Sequence, residues 1–92
     1  MVFDMMTIDN FCDKIGVNLN VTRHSGQGRW TAKFEYGEIQ SEDGKFLSSS
    51  YGEGDTILQA VWNYIEKIKG RKLVFGDWSG NRIEFDVPET LG

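Results

Sequence analysis

The sequence predicts an α+β domain in the order α-β-β-β-α-β-β, a twisted antiparallel sheet with both helices packed on one face. Three observations carry that expectation. Two stretches place apolar residues at helical spacing, each opened by a capping residue and closed by a glycine. Between and after them, apolar and polar residues alternate as in half-buried strands. Turn-forming Gly, Ser, Asn and Asp punctuate the gaps.

The first helix starts at Thr7, an N-cap whose side chain can accept from a free amide of the first turn. Ile8, Phe11, Cys12 and Ile15 form its apolar stripe, and Gly16 stops it. Val17, Leu19 and Val21 alternate with Asn18, Asn20 and Thr22 as a strand, and Ser25-Gly26-Gln27-Gly28 reverses the chain. A second strand runs from Arg29 to Tyr36, with Trp30, Ala32, Phe34 and Tyr36 on one face. Gly37 marks a bulge, because Ile39 falls out of phase with that face.

Ser41-Glu42-Asp43-Gly44 turns the chain into a third strand, Lys45 to Tyr51, weakened by the serines at 48–50. Gly52-Glu53-Gly54 reads as a tight turn, as does Gly26-Gln27-Gly28. From Asp55 a second helix presents Ile57, Leu58, Val61, Trp62, Ile65 and Ile68 as its apolar stripe. Lys67 and Lys69 suit the negative end of its dipole, and Gly70 ends it. Leu73-Val74-Phe75 and Ile83, Phe85, Val87 close the chain as a hairpin about Asp77-Trp78-Ser79-Gly80-Asn81.

All 92 residues are read as one domain, with 1–6 as a loose extension. A chain of this size buries one modest core, and its six Phe, three Trp and three Tyr exceed what such a core hides easily. Some aromatic surface is therefore expected outside, where a partner can use it. With 14 acidic against 10 basic residues the net charge is −4, which disfavours broad electrostatic binding of nucleic acid. One cysteine allows no internal disulfide and fits a reducing compartment. No apolar run approaches the roughly 20 residues that span a bilayer, and the N-terminal residues lack the pattern of a signal peptide.

Chemistry is sparse. One His and one Cys offer no metal-ligand spacing, no cofactor motif is present, and no nucleophile–base pattern stands out among the acids. The expectation is a non-enzymatic protein with no metal and no cofactor. Its candidate protein-binding residues are Trp78, an indole in a turn, with Asp77 and Arg82 beside it, and Tyr51. The alternative is weak binding of RNA or single strands through the open sheet face and first hairpin, using Arg23, His24, Arg29, Trp30 and Lys33. A homodimer through the serine-rich edge strand stays open, with Glu42 and Lys45 as its opposing guards.

Three resemblances add expectations. The α-β-β-β-α order over residues 7–69 resembles the double-stranded RNA-binding domain, with a C-terminal hairpin added. That family carries a basic cluster where this chain has Gly52-Glu53-Gly54-Asp55-Thr56, so none of its binding residues carries over. Gly54-Asp55-Thr56 with Ala60 is similar to the HicB-type antitoxin module, without that family's DNA-binding tail.

Tyr51-Gly52-x-Gly54-x-Thr56, Ala60, Tyr64-Ile65, Ile68-x-Gly70-x-Lys72-Leu73-Val74-Phe75 and Arg82-x-Glu84-x-x-Val87-Pro88 resemble the ending of small bacteriophage-encoded proteins, and Trp30 and Ala32 fit as well. That likeness implies a viral accessory protein in the bacterial cytoplasm and carries no activity across. Size and the acidic balance set the expectation that it binds a host or phage protein as an inhibitor of a defence or replication factor.

Overall fold

The computed structural model describes residues 7–24, 28–76 and 80–91. The expected N-terminal extension, most of the first hairpin turn, Asp77 and Trp78 lie outside the described residues. The class is α+β. In chain order the elements are α1 (Ile8–Ile15), β1 (Leu19–His24), β2 (Arg29–Phe34), β3 (Glu38–Gln40), β4 (Leu47–Ser49), β5 (Gly52–Gly54), α2 (Ile57–Ile68), β6 (Lys72–Phe75) and β7 (Ile83–Asp86).

The expected single sheet is two. One has the order β1-β2-β5 and the other β4-β3-β6-β7, with antiparallel pairing throughout. The division comes from two breaks. The strand expected to reach Tyr36 ends at Phe34, because Tyr36 adopts a left-handed backbone (φ 62°) and Gly37 donates back to the Phe34 carbonyl at 3.1 Å. That turn, where a bulge was expected, carries the chain into the second sheet. The expected third strand, Lys45 to Tyr51, shortens to β4, and a separate strand, β5, follows it in the other sheet.

Gly52-Glu53-Gly54 is not a turn. It pairs with β2 in the register Ala32↔Gly52, Thr31↔Glu53 and Trp30↔Gly54. Gly52 and Gly54 share the strand face beneath α2, where a Cβ at Gly52 would overlap the Ala60 carbonyl oxygen and the Tyr64 amide. These glycines serve close backbone approach rather than chain reversal.

Both helices lie on the face of the first sheet that carries Leu19, Val21, Ala32 and Phe34. Both ends of α1 are as the sequence suggests, while α2 starts at Ile57 rather than Asp55 and has Lys69, the residue before Gly70, as its C-cap. Thr7 accepts from the Asn10 amide at 3.1 Å, and Gly16 at φ 74° donates to the Cys12 carbonyl. Thr56 caps α2, one residue later than the expected start. Phe34 is the aromatic centre of the core, with ring centroids 6.2 Å from Phe11, 5.8 Å from Tyr64 and 6.2 Å from Phe75. It thereby joins α1, α2 and the second sheet.

Candidate protein-binding surface

The rotation of α2 decides what the molecule exposes. Its buried residues are Ala60, Tyr64, Ile65 and Ile68, not the whole of the expected stripe. On the β5 side, Asn63 donates to the Glu53 carbonyl at 2.6 Å and Lys67 to the Tyr51 carbonyl at 2.7 Å. With the glycines below, these bonds draw the helix down onto the edge strand β5. The opposite flank turns outward. Leu58 is 82% exposed and Trp62 55% exposed, although both belong to the stripe the sequence assigns to the core.

That flank faces α1 across an open groove of about 760 Å³. Leu19 and Val21 of β1 form its floor, Ile8 and Cys12 of α1 one wall, and Leu58 and Val61 of α2 the other. The floor residues point toward the helices because their cross-strand partners, Phe34 and Ala32, are buried in the core. Asp9 and Asp13, one helical turn apart, also line the groove, and among the described residues no other charged side chain does. Burial pushes the Cys12 thiol above its ordinary value, and the two neighbouring carboxylates push the same way. Cys12 is thus a neutral wall residue near pH 7.

The residues singled out from sequence are scattered. Tyr51 is exposed ahead of β5 with Lys67 Nζ 5.3 Å from its ring centroid. Arg82 precedes β7 in the other sheet, bonding Gln40 at 3.2 Å and Glu84 at 3.3 Å. The structure does not bring these two together into one site.

The basic hairpin set divides between faces. Arg23 lies opposite Trp30 in the β1–β2 ladder, on the helix side, where Trp30 packs against the core. Phe34 is fully buried and Trp30 half-buried, so neither offers a stacking platform on the open face. His24, Arg29, Thr31 and Lys33 share that open, polar face. There the His24 ring bonds the Thr31 hydroxyl at 3.0 Å, and Arg29 is paired with Glu53 at 3.1 Å and Asp55 at 3.8 Å. The cations at and just after the end of α2 are engaged too: Lys69 with Glu66, Arg71 with Glu42, and Lys72 with Glu84 and Asp86.

The groove was missed from sequence because Leu58 and Trp62 fit an amphipathic stripe. The available signal was the small-residue set Gly52, Gly54 and Ala60, which identifies the close-packed side of α2 as the Ala60–Tyr64–Ile68 side. Among the described residues no helix is long and apolar enough to cross a membrane. Searches of protein-family models, curated proteins and solved structures return no match to the chain.

Proposed function

We propose that this is a non-enzymatic protein-binding domain that engages its partner through the groove between α1 and α2. One observation carries the proposal: Leu58 stands exposed on the wall of a groove lined largely by apolar side chains, and Trp62, one turn further along α2, is exposed as well. A Trp beside aliphatic side chains is the composition of an interface anchor. The bacteriophage resemblance fits this role, an accessory protein that occupies a host or phage factor. The net charge of −4 suits a basic partner surface. The open sheet face receives less support as a nucleic-acid site, since Arg29 is neutralised by two carboxylates and Trp30 and Phe34 lie on the covered side.

The test is capture of partners from bacterial lysate by the tagged protein, with and without nuclease, beside Leu58→Ser and Trp62→Ala. A protein retained after nuclease and lost with either variant is the expected result. Material lost on nuclease treatment and indifferent to both substitutions would move the function to nucleic acid.

A further inference from the structure

We infer that the occupant of the α1–α2 groove is an amphipathic helix of the partner, with Lys or Arg along the flank that meets α1. The inference rests on the protein-binding role proposed above and names the chemistry of what binds.

The occupant's conformation follows from what the groove presents. Its floor consists of the side chains of Leu19 and Val21, and its walls are side chains of two helices. Such a surface offers apolar sockets between two helices, while the unpaired main-chain edge of β1, an end strand of its sheet, lies to the side of them. A docking strand needs an open backbone edge, whereas a helix needs only apolar side chains at i, i+3 and i+4. Ile8, Cys12, Leu58 and Val61 line the two sides against which those side chains would pack.

The occupant's charge follows from the rim. Asp9 and Asp13 follow the i, i+4 spacing of one helix face, and no described residue forms an ion pair with either. A facing helix with Lys or Arg at matching spacing meets both carboxylates, while an acidic one is repelled. The same carboxylates disfavour a second copy of this chain. A two-fold contact through the groove would place four carboxylates in one interface, with no cation lining the groove to relieve them.

The test is selection of a displayed random peptide library on the intact protein at low salt. The best peptide is then synthesised and titrated while tryptophan fluorescence, compared with that of Trp62→Phe, and peptide circular dichroism are followed. The expected winners carry apolar residues at helical spacing with Lys or Arg on one flank, and gain helix on binding. Asp9→Asn with Asp13→Asn should weaken binding about tenfold, less so as salt rises. Leu58→Ser should abolish it.

Winners with alternating, strand-like pattern or acidic flanks would overturn the inference, as would equal binding by the double Asn variant. Sedimentation showing a dimer that Leu58→Ser dissolves would assign the groove to a second copy instead. If lysate capture still depends on Leu58 and Trp62 while no basic helix emerges, the helix is wrong and the protein-binding role stands. If capture ignores those residues too, both fall.

Discussion

The hydroxyl of Tyr64 accepts a buried hydrogen bond from the backbone amide of Phe34 at 3.1 Å. This contact explains how so short a strand as β5 completes its sheet. β5 begins at Gly52, opposite Ala32, so it supplies no paired residue for Phe34. The phenol from α2 takes the place of a strand carbonyl, and the same helix turn that delivers it packs over Gly52. Helix and strand therefore substitute for one another at the edge of the first sheet.

Tyr64→Phe keeps the ring and leaves the Phe34 amide without its acceptor, so a loss of about 1–3 kcal/mol is expected in urea denaturation. The phenol also dictates an alkaline response. Burial raises its pKa above the ordinary 10.0, so the folded chain holds a proton that the unfolded chain releases. That contribution is intact below pH 10.0 and is lost as pH rises through the folded value. Unfolding followed from neutral to alkaline pH should lose stability more steeply in the wild type than in Tyr64→Phe.

Gly52→Ala should be the most damaging of three glycine substitutions. Its Cβ meets backbone atoms of Ala60 and Tyr64, which cannot swing aside, so α2 must lift off β5. A cost at or above about 3 kcal/mol is expected. Gly54→Ala meets the Ala60 amide and the Gln59 side chain at 2.7 Å and should cost less. Gly16→Ala meets nothing within 4 Å, and only its left-handed backbone (φ 74°) resists, by about 1 kcal/mol. Melting temperatures of the three variants test this order.

Local chemistry was legible in the sequence; the assembly of the strands was not. Thr7, Gly16 and Gly70 announce helix ends because capping depends on residues within one turn. The break at Tyr36 is marked only by Gly37 and the phase slip of Ile39, which fit a bulge as well as a strand end, and a tyrosine in the left-handed region is held there by its surroundings. Gly52 and Gly54 were visible, but a glycine pair before a helix fits a turn as well as a strand pressed against that helix. The outward face of α2 was hidden for a related reason. Hydrophobic periodicity locates an apolar stripe, and only the neighbouring elements decide which part of it is covered. The sequence-derived residues are spread accordingly: Tyr51 and Arg82 precede strands of different sheets, and the basic hairpin residues lie on different faces.

Asp43 should titrate below its ordinary 3.8, because its carboxylate accepts from the Ser41 hydroxyl and from the Lys45 amide. The sign follows from that depression. The turn is favoured while Asp43 is ionised, fully so above 3.8, and the preference is lost as pH falls through the folded value. Side-chain NMR titration reads this directly, and Ser41→Ala should return the midpoint toward 3.8. A midpoint unmoved by Ser41→Ala would remove the hydroxyl as the cause.

Leu58→Ser and Trp62→Ala should leave stability within about 0.5–1 kcal/mol of the wild type, since neither side chain is enclosed. Phe11→Ala, on the other helix bordering the groove, should cost about 3–5 kcal/mol, because its ring is buried against Phe34. The contrast separates a surface retained for binding from one needed for folding. Leu58 at 82% exposure contributes little to the core, yet it extends the groove wall begun by Val61. Paired denaturation and binding curves for these variants check the division. If Leu58→Ser destabilised the fold as much as Phe11→Ala, the outer flank of α2 would be part of the core and unavailable to a partner.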